Sequence, residues 1–242
     1  MILAAAQLKS RAGDVALNID RHLFYVEEAK RHGVDIIVFP ELSLSGYEPT
    51  LAADVETTGD DERFEPLKER AEARGMIICA GLPLRTNGKP EIGMVVWHPD
   101  GRSETYAKQI LHTDELPFFS PGKRELTIAI AEQRLVPAIC YESLQSGHAE
   151  AAFQRGANVY FASVAKPEAG MRRALEHYPA IAKKNGMAVI VANAVGPSDN
   201  FISVGQSAVW NSTGECLARC SDNDEALLIA DMADDLTKIV PM

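Results

Sequence analysis

Short apolar runs alternate with stretches in which apolar residues recur every three or four positions, almost from one end of the chain to the other. Residues 2–6 form a run of the first kind and read as a strand. After it, Asp14 is placed to cap a helix whose residues Val15, Ile19, Leu23, Val26 and Ala29 share one face. Gly33 closes that helix, and 35–39 follows as a continuous apolar strand of the kind covered on both faces. The grammar then repeats, with a charged amphipathic helix over 62–74, Gly75 as its stop and a strand over 76–80. Residues 94–98 and 102–106 flank Pro99-Asp100-Gly101, a turn sequence, and predict a hairpin. Further strands are expected at 127–131, 135–139, 158–162 and 188–193, with helices over 146–155 and 170–184 between them. The tail reads as strands at 205–210, 216–220 and 226–230. Helices separated by apolar strands, with hairpins inserted, predict an α/β layered fold with mixed sheets. No linker, repeat or change of composition divides the chain, so residues 1–242 are expected to form one domain.

Composition narrows the partners. The 242 residues carry a formal charge of −10, and no basic block is present, which argues against a nucleic-acid partner. No apolar stretch approaches the ~20 residues that cross a bilayer. The amino-terminal stretch MILAAAQLKS lacks the basic region of a signal sequence, so a cytoplasmic address is the expectation. Four cysteines (Cys79, Cys140, Cys216, Cys220) then read as free thiols, and Cys216 and Cys220 as buried strand residues. Their C-x3-C spacing has no second half to complete a zinc site.

Three predicted strands end in a reactive side chain. Glu41 lies in Phe39-Pro40-Glu41-Leu42-Ser43, where burial would raise a carboxylate toward the range of a useful base. Lys108 follows the hairpin in Tyr106-Ala107-Lys108, where a water-poor lysine can pair with a carboxylate and stabilise an oxyanion. Cys140 stands at the tip of the 135–139 strand in Ala138-Ile139-Cys140-Tyr141-Glu142-Ser143, ahead of a helix. That is the arrangement of a strand–elbow–helix nucleophile. Viewed singly, each has an ordinary structural explanation: a solvated or capping Glu, an exposed Lys, a buried inert Cys.

Taken together, in this order, the segments resemble the nitrilase superfamily of carbon–nitrogen hydrolases. The resemblance runs through FPELSLSGY (39–47), WHPDGR (97–102), YAKQIL (106–111), Pro121-Gly122, AICYES (138–143) and the late 205–210 strand, and so covers nearly the whole chain. It implies a four-layer α-β-β-α sandwich of two mixed sheets and a Glu–Lys–Cys triad on Glu41, Lys108 and Cys140. A second active-site glutamate is implied at Glu115, with Asp114 as the competing choice. The implied activity is hydrolysis of a non-peptide carbon–nitrogen bond, in a small amide or N-carbamoyl compound, through a cysteine thioester. The Tyr141 N–H would assist the oxyanion, and no metal or organic cofactor has a role. The resemblance also implies a homodimer formed through helices near the site. Two departures bear on the substrate. The stretch after Cys140, Glu142-Ser143-Leu144-Gln145, lacks the Arg and Phe-Pro of members that take carboxylate-bearing amides. Tyr141 replaces the Trp usual in nitrile-cleaving members. The segment 163–167 corresponds to a pocket-lining loop, where Lys166, Arg172 or Arg173 could meet a substrate anion or form a solvated cluster at a helix start. Nitrile hydrolysis or acyl transfer on the same triad, a non-catalytic metabolite sensor and a metal-dependent phosphoesterase are the alternatives. The last needs an Asp/His/Asn set that the strand ends do not supply.

Overall fold

A computed structural model of the chain describes residues 1–242. Its fifteen strands, β1 to β15, fall into two large sheets and one small hairpin. The first sheet contains β1 (Ile2–Gln7), β2 (Ile36–Val38), β3 (Ile77–Leu84), β4 (Glu91–Trp97), β5 (Ser103–Ala107), β14 (Ala226–Asp231) and β15 (Leu236–Pro241), in the order β15-β14-β1-β2-β3-β4-β5. The second contains β6 (Ile128–Ile130), β7 (Gln133–Ile139), β8 (Val159–Val164), β9 (Ala188–Asn193), β12 (Ala208–Trp210) and β13 (Cys216–Arg219), in the order β13-β12-β9-β8-β7-β6. Strands β1, β2 and β3 are mutually parallel, as are β7, β8 and β9, and the flanking pairs are antiparallel. Both sheets are therefore mixed. The hairpin pairs β10 (Val195–Ser198) with β11 (Phe201–Val204). Five α-helices complete the chain: α1 (Val15–Arg31), α2 (Ala52–Val55), α3 (Glu65–Arg74), α4 (Ser146–Gln154) and α5 (Glu168–Asn185).

The alternation of side chains along each strand builds the layers. Leu3, Ala5, Ile36 and Val38 point inward from the first sheet and meet Leu135, Ile139, Phe161 and Ile190 of the second. Their neighbours Ala4, Ala6 and Ile37 point the other way, onto Val26 and Ala29 of α1 and Leu67 and Ala71 of α3. On the second sheet, Val136, Ala138 and Tyr160 pack outward against Ala149 and Ala152 of α4 and Met171 and Tyr178 of α5. Helices, sheet, sheet and helices thus stack in the α-β-β-α order that the resemblance implied.

Several boundaries and one exposure differ from the sequence expectation. A 3-10 turn (Glu62–Phe64), capped by Asp61, precedes α3, so that helix starts at Glu65 rather than at 62. Strand β8 runs to Val164, which places Ser163 and Val164 inside the strand and not in the loop beyond it. The β10–β11 hairpin and β15 were not anticipated. In the first, Gly196 and Pro197 interrupt any alternation, and in the second an exposed edge needs no apolar face. Cys220 is buried as expected but lies one residue beyond β13, and Cys216 is in the strand but exposed, because β13 is the edge of its sheet.

One buried histidine supports the segment that carries Glu41. His22 of α1 bonds the Asn18 carbonyl through Nδ1 (2.6 Å) and the Ser43 hydroxyl through Nε2 (2.9 Å), and lies 4.1 Å from the Phe39 ring. Burial first, and Arg21 nearby, hold its pKa down at about 3, against a backbone hydrogen bond that favours the cation. The unfolded chain binds a proton near pH 6.5 that the folded chain refuses, so this contribution to stability is complete above pH 6.5 and lost as the pH falls toward 3. By pH 4 the loss is about 3 kcal/mol at ~1.4 kcal/mol per pH unit. Denaturant melts of wild type and His22→Gln between pH 7 and 4 should show the variant's slope smaller by about one proton. Parallel slopes would count against the assignment.

Candidate active site

Four segments converge on one cleft, two from each sheet. Beyond β2 the chain turns sharply through Pro40, Glu41 and Leu42, with Leu42 in the left-handed region at φ 51°. This turn lies directly on β3. A Cβ at Gly81 would sit 2.5 Å from the Leu42 nitrogen, so only glycine admits the approach. Lys108 extends the β5 ladder by one residue, its N–H bonding the Ile92 carbonyl at 2.9 Å. Gly122 donates to the Lys108 carbonyl at 2.8 Å, and a Cβ there would meet the Ala107 carbonyl at 2.5 Å. The Pro121-Gly122 pair therefore pins the strand end that carries the lysine.

Cys140 closes β7 and opens a 3-10 turn (Cys140–Leu144). Its φ of 48° is costly for a residue with a side chain, and the surrounding bonds must hold it there. Glu142 supplies many of them. This fully buried carboxylate accepts from the Ile139 N–H (2.7 Å) and Tyr106 hydroxyl (2.6 Å) on one oxygen, and from the N–H groups of Gln109 (2.6 Å) and Ile110 (3.3 Å) on the other. One side chain thus ties the strand end bearing Lys108 to the elbow bearing Cys140. His148 and Tyr160 continue the network from the Tyr106 hydroxyl, which places His148 beneath the site and not in it.

A glutamine at position 142 offers one oxygen to these four donors and turns an amide N–H2 toward the rest. Glu142→Gln is expected to cost about 3 kcal/mol through unpaired buried donors. It should also lower kcat by about 10- to 100-fold with a smaller change in KM, since misplacement by an ångström has that effect. Melting and steady-state kinetics read both, and a variant with wild-type kcat would show that Glu142 does not set the geometry.

The reactive groups are dry and paired. Lys108 Nζ lies 2.9 Å from Glu41 Oε1 and 2.5 Å from Glu115 Oε1, with all three side chains buried. Glu115 also accepts from the Tyr47 hydroxyl (3.0 Å) and the His112 N–H (2.7 Å). Asp114, the competing choice, is exposed and pairs with His112, so Glu115 is the one that meets the lysine. Glu41 Oε2 is buried and has no hydrogen-bond partner. Burial raises the Glu41 pKa from its ordinary carboxylate value, Lys108 offsets part of the rise, and Glu115 adds to it. Burial would lower Lys108, but Glu41, Cys140 and Glu115 carry it above the ordinary ammonium value, so it stays charged. Burial and the Glu41 charge push the Cys140 thiol up to about 11, against Lys166 and Lys108. The reference value near 8.5 does not apply here: the resting thiol keeps its proton and needs a base to take it.

Beside these groups lies a cavity of about 190 Å³, walled by Tyr47, Glu115, Cys140, Tyr141, Lys166 and Phe201 among others. Arg173 lines it too and Arg172 does not. Tyr47 and Phe201 were missed in the sequence; the terminal Tyr of FPELSLSGY was the available signal for the first, and no signal marked the second. No group of three or more His, Cys, Asp or Glu side chains is placed to hold a metal ion.

The model of the carbon–nitrogen hydrolase family matches residues 2–239. The chain belongs to this family. The match bears out the resemblance to the carbon–nitrogen hydrolases of the nitrilase superfamily that the sequence carries. Among solved structures, an amidase from Nesterenkonia sp. superposes with a TM-score of 0.88 at 25% identity, over 97% of this chain and 91% of that one. The 2-oxoglutaramate amidase of Bacillus subtilis is 26% identical, over 89% of this chain and 85% of its own length. The glutamine-dependent NAD(+) synthetase of Acinetobacter baylyi is 26% identical over 88% of this chain, which spans only 40% of that protein. Carbon–nitrogen hydrolases of both kinds thus share this chain's extent, while the synthetases matched are more than twice as long. No helix of the carbon–nitrogen hydrolase is long and apolar enough to cross a membrane.

Proposed function

We propose that this enzyme hydrolyses the carbon–nitrogen bond of a small amide or N-carbamoyl compound, with Cys140 as nucleophile, Glu41 as base, and Lys108 and Glu115 as their electrostatic support. The observation that carries the reading is the buried Glu41–Lys108–Glu115 cluster, with one Glu41 oxygen unpaired, at a cavity that Cys140 lines. Glu41 Oε2, unpaired, takes the Cys140 proton as sulfur bonds to the amide carbon. The Lys108 ammonium and the Tyr141 N–H face the oxygen on which negative charge develops. The carbon–nitrogen bond then breaks, the amine leaves with the proton from Glu41, and a thioester remains on Cys140. Water, deprotonated by the same Glu41, attacks the thioester carbon. The carbon–sulfur bond breaks, the thiolate takes the proton back from Glu41, and the carboxylic acid is released. Glu115 keeps Lys108 placed and charge-balanced while Glu41 alternates between its forms.

A cavity of about 190 Å³ lies below the ~300–1,000 Å³ of pockets that hold drug-sized ligands, which favours a short acyl group. The experiment is intact-mass measurement after incubation with short amides, N-carbamoyl amines and nitriles. An acyl adduct that localises to Cys140 is expected, and its mass identifies the acyl group. If alkylation of Cys140 left turnover intact, the mechanism would be wrong.

A further inference from the structure

The cavity holds positive charge that no ion pair neutralises. Lys166, just beyond β8, is 4% exposed, yet no carboxylate pairs with it. Its Nζ is 3.5 Å from Cys140 Sγ and 3.3 Å from the Cys140 carbonyl. Its backbone is fixed by Asn193, whose Oδ1 accepts from the Lys166 N–H at 2.9 Å and whose Nδ2 reaches the Lys166 carbonyl at 3.3 Å. A buried ammonium without an anion is expensive, and a lysine locked at its backbone cannot swing out to water at little cost. Next to it, α5 begins with no side chain capping it, and Pro167, Ala169 and Gly170 of that first turn line the cavity. The positive end of an 18-residue helix thus borders the same space, and Glu168, the acid of that first turn, is exposed and does not line the cavity. Arg173, one turn on, lines the cavity and forms no ion pair. The acidic lining groups are committed elsewhere, Asp114 to His112 and Glu115 to Lys108.

We infer that Lys166 and the uncapped start of α5 form a subsite for a carboxylate carried on the acyl group, so that the substrate is the monoamide of a short dicarboxylic acid. This deepens the proposed amide hydrolysis and rests on it. Because Nζ is already in contact with Sγ, it can reach only a carboxylate separated from the acyl carbon by no more than two carbons. Oxamate, malonamate and succinamate are therefore the lengths to try. The sequence argued against acidic amides, since the Arg and Phe-Pro after Cys140 are absent. The subsite supplies the missing cation from the end of β8 instead.

The test compares kcat/KM for those three monoamides with acetamide, propionamide and butyramide, in wild type, Lys166→Met and Lys166→Arg. Wild type should prefer at least one monoamide. The ratio of the best monoamide to its neutral counterpart should fall about 10- to 100-fold in Lys166→Met, the value of one charge-assisted hydrogen bond. Lys166→Arg should retain part of the ratio. If Lys166→Met lowered both classes equally, or wild type favoured the neutral amides, the subsite would be refuted and the lysine would serve the thiol alone. If wild type turned over none of the six and formed no Cys140 adduct with any amide, it is the amide-hydrolase reading that would fall.

Discussion

Cys140→Ala should abolish turnover, by about 10⁴-fold or more, while leaving the protein folded. Removing a nucleophile costs an enzyme of this type nearly everything that covalent catalysis contributed. The thiol's place in the fold is dispensable by contrast: its only hydrogen-bond partners are the Ala165 carbonyl at 3.8 Å and Lys166. The elbow is held by Glu142 and by Ser143, whose hydroxyl donates to the Cys140 carbonyl at 2.6 Å, and neither depends on sulfur. Backbone strain adds a second readout. At φ 48°, any Cβ crowds the chain, so Cys140→Gly should be more stable than Cys140→Ala by about 1 kcal/mol. Chemical denaturation of the two variants, beside an activity assay, checks both halves. An alanine variant that retained turnover, or a glycine variant that is the weaker of the two, would contradict them.

Lys108→Met should be damaging in both respects. The lysine is the shared counter-charge of two fully desolvated carboxylates, and methionine matches its length but leaves both uncompensated. Breaking a buried ion pair from one side costs about 3–5 kcal/mol, much of which the protein can avoid only by protonating a carboxylate. A protonated Glu41 is no base. Because Lys108 is what restrains the Glu41 pKa, its loss moves that pKa further up, and the acid limb of the pH–rate profile should shift to higher pH. At the pH optimum, kcat should still fall by about 10²- to 10³-fold for want of the oxyanion cation. Lys108→Arg should not rescue, since a planar guanidinium cannot place one donor between two carboxylates as an ammonium does. An unshifted acid limb in Lys108→Met would mean that Glu41 is not the group that titrates.

The layers were legible in the sequence because burial writes itself into periodicity. Continuous apolar runs such as 35–39 announced strands covered twice, and the α1 pattern announced a helix covered once. Glu41, Lys108 and Cys140 were legible through their neighbours: each follows an apolar strand, and motif order linked them. Glu115 was assigned by resemblance, and it took the ion pair to Lys108 to separate it from Asp114. Other features were written in distances, which a single chain of letters does not carry. Glu142 looks like any acid in a loop until four donors surround it. Lys166 reads as readily as a solvated helix-start cation, because nothing in SVAKP says that its ammonium ends beside sulfur. Phe201 reaches the cavity from a hairpin whose residues lack strand alternation altogether.

Glu41 and Lys108 are carried by one sheet, Cys140 and Lys166 by the other, and between them runs a layer of interdigitated aliphatic side chains. Beyond the Glu142 clamp, the Ser163 hydroxyl stitches β8 to the Phe39 carbonyl at 2.7 Å, beside the turn that bears the base. In the proposed mechanism, the alignment of Glu41 with Cys140 therefore depends on how far apart the two sheets stand. An Ile190→Val or Leu135→Ala change in that layer contacts no substrate, yet it alters the spacing on which proton transfer depends. Catalytic rate in this enzyme becomes a gauge of the thickness of its hydrophobic interior.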